Sequence, residues 1–171
     1  QNSFANTSSS LMTAKMQGSI VDTLMPPLTA LQLTIGYSFS GATRGLLVAC
    51  MVTMAMSVFV EFSLHSLPFI LFHATSAALM LSMLGMISGV WADKHEYNSA
   101  VTNFVIMPLS FLSGSFYSIE RLPESFQTFA HLNPFFYLID GFRYGFIGRS
   151  DGSLEMGLAV IMSINIALAI V

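Results

Sequence analysis

The sequence predicts an all-α protein, a polytopic bundle of membrane-spanning helices, and three observations support this prediction. Of the 171 residues, 54% are hydrophobic and only 9% are charged, whereas a typical soluble domain has about 25% charged residues. The mean hydropathy is correspondingly high, at +0.69. Long uncharged intervals recur along the chain, and each is apolar on all sides, as expected for helices that face lipid or other helices.

Composition and motifs exclude several other classes of protein. Six basic and nine acidic side chains give a net charge of −3, so the chain lacks the basic face that binds nucleic-acid phosphates. Cys50 is the single cysteine and cannot form an internal disulfide bond. The sequence contains no Gly-Lys dipeptide, and therefore no phosphate-binding P-loop. A helical zinc pair and a G-x-S-x-G elbow are absent as well, so we expect neither a metal site nor an enzyme.

Three full spans and the start of a fourth are predicted. They cover residues 44–63, 68–92, 97–113 and, in part, 154–171. The last run is shorter than the roughly 20 residues that a spanning helix needs, so we expect the chain to be a fragment of a longer protein. A charge at the bilayer centre is costly, so Arg44 is expected to mark a membrane edge. Pro68 suits the first turn of a helix, and Trp91 suits the headgroup level.

Two further segments are predicted to lie at the membrane surface. Residues 9–25 follow serines that can cap a helix and should form a helix of about four turns, bent near Gly18. Thr29 is placed to cap the next helix. Residues 114–148 are rich in Phe and Tyr, which is typical of short helices that dip into one interface. Basic residues divide evenly between the two sides, so charge alone predicts no orientation.

Individual residues of the predicted spans and of residues 114–148 suggest packing more often than chemistry. Gly85 and Gly89 have the small-x-x-x-small spacing that lets helix backbones approach closely. His73 has two interpretations, a neutral histidine bonded to a neighbouring helix or part of a proton relay. Asp140 and Arg143 can pair at i, i+3 on one helix face, as a structural ion pair or as part of a gate.

Several longer motifs, in this order, resemble one family of membrane proteins. They are QNSFANTSSSL at 1–11, GSIVDTLMPPL at 18–28, PLSFLSGSFY at 108–117, LP at 122–123 and NPFFYLIDGFR at 133–143. Together they resemble the integral membrane permeases of the type-2 ABC exporter family, and the resemblance covers essentially the whole chain.

This resemblance implies an architecture and a set of partners. The family's permease has six spanning helices, of which this chain would hold the C-terminal two-thirds. Two permeases, as a homodimer or pseudo-dimer, work with a pair of separate ATPase subunits in the inner (plasma) membrane. ATP and magnesium would therefore bind the partner ATPase, and this chain would carry no cofactor. Residues 8–44 and 93–96 would lie on the cytoplasmic side.

The resemblance also assigns roles to two sets of residues. Residues 9–25 would form a coupling helix that docks into a groove of the ATPase, with Gly18 allowing close approach. The docking candidates are Met12, Met16, Ile20 and Val21 as apolar contacts and Lys15, Gln17 and Asp22 at the polar rim. Residues 114–148 would form re-entrant helices on the outer face. Its gate candidates are Phe126, Phe129, Phe135, Phe136, Asp140 and Arg143.

The expected function is therefore a permease subunit that exports a drug, a lipid or a glycan by alternating access. The competing prediction is an ATP-independent secondary transporter or channel. Such proteins usually carry charges or broken helices at mid-membrane, and the intervals 45–60 and 68–92 contain almost none.

Overall fold

A computed structural model describes residues 1–21, 25, 28–59, 64–92, 94–114 and 124–170, the first three of the last range by their backbone alone. All regular secondary structure in these residues is helical, in agreement with the all-α prediction. The helices are α1 (Asn2–Met16), α2 (Ala30–Met56), α3 (Leu67–Trp91), α4 (His95–Val101), α5 (Met107–Phe111), α6 (Glu124–Leu132), α7 (Pro134–Ile147) and α8 (Leu154–Ile170). A π-helical stretch, Thr102–Ile106, joins α4 to α5.

Within the described residues, α2 and α3 are the helices that are long and apolar enough to cross a membrane. They have 27 and 25 residues, which gives lengths of about 40 Å at 1.5 Å per residue, more than the roughly 30 Å of bilayer hydrocarbon. Helix α8 is apolar but shorter, with 17 residues. The count of three spans and the start of a fourth stays a prediction.

Helix α2 begins at Ala30, well before the span boundary expected at Arg44. Thr29 caps it, as predicted, and forms a capping box. The backbone N–H of Gln32 donates to the Thr29 hydroxyl at 3.3 Å, and the Thr29 N–H donates to Oε1 of Gln32 at 2.9 Å. Both groups lack helical partners at this position. The chain is therefore helical for about 20 Å before it reaches Arg44.

Helix α1 lies earlier in the chain than the helix predicted over residues 9–25. It already begins at Asn2, so the serines expected as caps lie inside it. The Ser8 hydroxyl donates to the Phe4 carbonyl oxygen at 2.8 Å, because a serine inside a helix can satisfy its hydroxyl one turn back. Gly18 has φ +73°, a left-handed conformation that glycine adopts without a steric penalty. It follows directly on the end of the helix.

The segment predicted as the third span is helical but irregular. Helices α4 and α5 continue one another through the π-helical stretch, in which the Met107 N–H bonds to the Thr102 carbonyl oxygen. Pro108 follows immediately and has no N–H to donate. A π-helical turn is a common way to accommodate such a break, so this proline accounts for the irregularity.

Helix α3 is the central helix and packs against α1, α2, α7 and α8. Helix α1 lies in direct backbone contact with it. A Cβ atom added to Gly85 would lie 2.5 Å from the Phe4 carbonyl oxygen, and one added to Gly89 would lie 3.0 Å from that of Ser8. At the same place, Gly41 of α2 packs against the side chains of Thr7 and Ser82. Three helices therefore meet around one small-residue face.

Buried hydrogen bonds reinforce this meeting of helices. The hydroxyls of Thr7 and Ser82 lie 2.6 Å apart and join α1 to α3. The Asn98 amide nitrogen donates to the Ser8 hydroxyl at 2.7 Å, and Ser88 donates to the Asn98 amide oxygen at 3.0 Å. Side-chain hydrogen bonds of this kind help hold helices together in a membrane. They link α1, α3 and α4 into one unit.

Substitution of Gly85 tests this packing. We expect Gly85→Ala to lower the free energy of unfolding of the full-length protein by about 1–3 kcal/mol, because the new methyl group overpacks against backbone. Gly36→Ala is the matched control, since a Cβ atom there meets nothing within 4 Å and alanine favours a helix by about 1 kcal/mol. Thermal unfolding in detergent measures both. Equal melting temperatures for the two variants would contradict the assigned contact.

Candidate functional site

The first candidate site lies where α1 ends, beside the Trp91 end of α3. Lys15, predicted at the polar rim of a docking surface, bonds to α3 instead. Its Nζ donates to the carbonyl oxygens of Val90 at 2.8 Å and Ala92 at 3.0 Å. These oxygens lie at a helix end, where carbonyls lack helical partners and a cation is favourable. Lys15 therefore fastens the end of α1 to the end of α3.

The remaining docking candidates in this region are largely accessible. Met16 is 65% exposed and Val21 is 58% exposed, while Gln17 and Gly18 are exposed and Ile20 is partly buried. The sequence analysis did not name Met25, which is 77% exposed. The sequence could have indicated this residue, because Met25 is a further apolar residue in the same segment as Met16 and Val21, directly before the proline pair. We call residues 16–21 and 25 the docking segment.

The structure does not place two of the docking candidates on this exposed surface. Met12 is only 1% exposed, because it lies on the face of α1 that packs into the bundle. In this conformation it cannot form part of a docking surface, which corrects its predicted role. Asp22 lies outside the described residues.

The second candidate site is the segment around α6 and α7. Asn133 caps α7, its side-chain oxygen accepting from the Phe135 N–H at 3.1 Å. The amide nitrogen of Asn133 donates to the Leu109 carbonyl oxygen at 2.7 Å and to the Ser113 hydroxyl at 3.0 Å. One buried side chain therefore holds the start of α7 against the end of α5.

The aromatic gate candidates divide between core and surface. Phe136 is 1% exposed and Phe135 is 7% exposed, and both belong to the hydrophobic core. Both side chains pack the core in this conformation, and their role as gate residues stays a prediction. Phe129 is 71% exposed and remains available for such a role. The side chain of Phe126 lies outside the described part of the chain.

Asp140, in the middle of α7, is the centre of a compact polar cluster. Its buried carboxylate accepts from Arg143 at 2.8 Å, from the Ser150 hydroxyl at 2.9 Å, and from the backbone N–H groups of Asp151 and Gly152 at 2.8 and 3.1 Å. Four donors satisfy this carboxylate. The cluster fixes the connection from α7 to α8.

Arg143 joins this cluster as a bridging cation. Its guanidinium lies 2.8 Å from the carboxylates of both Asp140 and Asp151. Burial acts to lower the pKa of Arg143, but the hydrogen bonds and charges of Asp151 and Asp140 outweigh it and raise that pKa. The arrangement is that of a structural ion pair, which was one of the two sequence interpretations.

His73 is enclosed by side chains of the core. Its Nδ1 lies 2.8 Å from the Phe69 carbonyl oxygen one turn back in α3, and its ring packs against those of Phe69 and Phe72. Gly141 of α7 leaves the space that the ring occupies. These contacts make His73 a packing residue between α3 and α7, and its hydrogen bond is to its own helix rather than to the neighbouring helix that the sequence analysis expected.

Arg44 lies near the middle of α2, and its place at a membrane edge stays a prediction. Helix α2 runs antiparallel to α3, since Gly41 meets Ser82 while Ala49 and Ala77 line one apolar cavity. The Arg44 guanidinium donates to Asn6, which lies between the residues of α1 that contact Gly85 and Gly89. The charge is therefore directed toward the Trp91 end of α3. The sequence analysis did not predict that α2 continues on both sides of Arg44, because it treated the charge as a boundary.

The comparisons with known proteins identify the family. A family model described as the ABC-2 type transporter matches residues 1–147, which include α1–α7. The chain therefore belongs to the ABC-2 type transporter family.

Individual relatives agree with this assignment. The chain is 37% identical over 170 residues to the inner membrane transport permease YadH of Escherichia coli strain K12, covering 99% of this chain and 66% of that permease. It is 26% identical over 141 residues to nodulation protein J of Sinorhizobium fredii, covering 81% of this chain and 53% of that protein. No solved structure matches the chain significantly. The chain thus spans slightly less than two thirds of the YadH permease.

The Asp140 cluster generates a stability prediction. We expect Asp140→Asn to lower the free energy of unfolding by about 3 kcal/mol, because the amide keeps the shape but loses the charge that pairs with Arg143. Unfolding in mixed micelles measures the loss. Glu155→Gln is the control, because Glu155 is exposed on α8 and its charge should matter little. A similar stability of both variants would show that the cluster is dispensable.

The two classes of aromatic residue generate a second prediction. Phe136→Ala should lower the free energy of unfolding by about 3–5 kcal/mol, as expected when a core aromatic is truncated. Phe129→Ala should change it by less than about 0.5 kcal/mol, as at most surface positions. The yield and melting temperature of the full-length protein in detergent distinguish them. The assignment of core and surface is refuted if Phe129→Ala is the more damaging change.

Proposed function

We propose that this chain is part of the membrane-spanning permease subunit of an ATP-driven ABC exporter. The observation that supports it most is the ABC-2 family match over residues 1–147. The protein is a multi-pass protein of the inner membrane, as its apolar helices and its relative, an inner membrane transport permease, indicate. Separate ATPase subunits would hydrolyse ATP, and ATP and magnesium would bind there. The permeases would work as a homodimer or pseudo-dimer.

The docking segment would seat in a groove of the ATPase subunit, on the cytoplasmic side. Its exposed methionine and valine side chains suit an apolar interface core, and Gln17 suits a polar rim. The left-handed Gly18 directs the chain away from α1 at this point. Because Lys15 fastens α1 to α3, force applied at the docking segment reaches the central helix directly.

Alternating access would follow from this connection. ATP binding closes the ATPase dimer and moves the docking segment, and α1 and α3 then move together as one rigid unit. The other helices that contact α3 would rearrange around that unit, opening the cargo site to the outer face. The cargo would be a drug, a lipid or a glycan. Phe129 is the described aromatic side chain that suits a role in an outer cap.

An ATP-independent secondary transporter or channel is the second candidate. One observation favours it, since Arg44 lies inside a helix long and apolar enough to span a membrane, where such proteins often hold charges. The two candidates differ in whether an ATPase binds the docking segment, and this difference is measurable.

Purification of the full-length protein from native membranes in mild detergent tests the proposal. We expect a stoichiometric partner that carries a P-loop, identified by mass spectrometry. Val21→Glu should weaken its retention at least about tenfold, because the interface would bury an unpaired charge.

The control for this experiment is His95→Glu, which places the same charge at an exposed position beyond the same end of α3. It should retain the partner. A homogeneous complex without any ATPase would refute the exporter and favour the secondary transporter. Equal retention by both variants would refute the docking segment alone.

A further inference from the structure

A polar groove of about 500 Å³ runs along the outer face of α1. Its polar lining consists of Asn2, Asn6, Ser9, Ser10, Thr13 and Gln17 from α1 and its end, Ser19, and Arg44 from α2. The opposite face of α1 is the one that packs into the bundle. The helix is therefore buried on one side and hydrophilic on the other along its whole length.

A second cavity of about 290 Å³ extends this groove along α2. The two share Asn6 and Ser10. On α2 the lining includes Gln32, Gly36 and Ser40, and Arg44 comes four residues further on, so these positions share one helix face. We call the combined surface of Asn6, Ser10, Thr13, Gln32, Ser40 and Arg44 the polar track.

The polar track follows α1 beside a helix that can span the membrane. Helix α1 is in backbone contact with α3 at Gly85 and Gly89, inside a helix long and apolar enough to cross the bilayer. The hydroxyl and amide side chains of the track favour water or a polar ligand over lipid chains as their neighbour, because hydrocarbon offers no hydrogen-bond partners. The track begins at Thr13 and Gln32, near the docking segment, and runs from there to Arg44.

Arg44 lies at the end of the track away from the docking segment and gives it a specific chemistry. Its guanidinium donates to Oδ1 of Asn6 at 2.8 Å, and Asn6 is the one side-chain partner that the described residues provide. A guanidinium has five donors in a planar fork that matches a phosphate or carboxylate. The remaining donors of Arg44 face the groove, where the side chain is exposed.

We propose that the polar track binds the head group of the cargo, and that this head group is both anionic and hydroxylated. Its phosphate or carboxylate would pair with Arg44, while its hydroxyls would bond to the serine, threonine and amide side chains along the track. The inference rests on the proposed transport function and adds a substrate class to it. The ligand would also supply a counter-charge for Arg44 within α2.

Binding of defined probes to the full-length protein in detergent tests this proposal. Phosphatidylglycerol and glycerol 1-phosphate both offer a phosphate and hydroxyls, one as a lipid and one as a soluble molecule. Phosphatidylcholine is the zwitterionic control. Native mass spectrometry and thermal shift measure the affinities. We expect phosphatidylglycerol or glycerol 1-phosphate to bind more tightly than phosphatidylcholine, and the tighter of the two identifies the source of the head group.

Variants show whether the binding depends on the track. Arg44→Gln should lower the affinity for the preferred probe at least about tenfold. Arg44→Lys should lower this affinity less, since it keeps the charge. Ser40→Leu should also weaken binding, because the larger side chain obstructs the track while Arg44 itself is unchanged. This variant keeps the proposal testable if Arg44→Gln fails to fold. Thr43→Val is the control, because the Thr43 hydroxyl bonds to the Phe39 carbonyl oxygen in its own helix.

Two outcomes would overturn the inference. One is binding of the probes with no preference for the anionic head group. The other is binding that Arg44→Gln and Ser40→Leu leave unchanged. Failure of the proposed function is distinguishable from both, because it is measured by retention of the ATPase, and the probes bind or fail to bind whether or not an ATPase is present.

Discussion

The close packing of α1 against α3 is the contact on which the rest of the structure depends. Gly85 and Gly89 have no side chains to separate the two backbones. The hydroxyls of Thr7 and Ser82 bond across the interface. Without hydrophobic exclusion of water to drive helices together in a bilayer, van der Waals contact and hydrogen bonds must do so. Both are concentrated at this interface.

The two proposed sites are consequences of that packing. At one end, Lys15 bonds the last carbonyls of α3, so the docking segment is attached to the central helix of the bundle. Along its length, α1 buries its small and apolar face and leaves its amides and hydroxyls toward Arg44. Movement at the docking segment therefore changes the position of the polar track as well. Coupling and cargo binding would share one rigid element.

Local signals in the sequence predicted much of the fold. The features that were not predicted depend on packing between residues distant in the chain. Thr29 as a cap and Pro68 in the first turn of a helix depend on neighbouring residues, so the sequence was sufficient. The burial of Met12 was not predicted, because it depends on helices distant in the chain. The all-polar run of residues 6–10 also conceals a helix that packs into the bundle, because its hydroxyls bond within the helix and to α3.

A disulfide bond between α1 and α3 tests most directly whether the two helices move together. The hydroxyl oxygens of Thr7 and Ser82 lie 2.6 Å apart, so cysteine sulfurs at these two positions can approach the roughly 2.05 Å of a disulfide bond. Thr7→Cys with Ser82→Cys, in a Cys50→Ser background, would be assembled with the ATPase partner. Its ATP hydrolysis would be measured before and after oxidation, with the crosslink verified by mass spectrometry. We predict equal activity in both states. Loss of activity on oxidation with recovery on reduction would contradict a rigid α1–α3 unit.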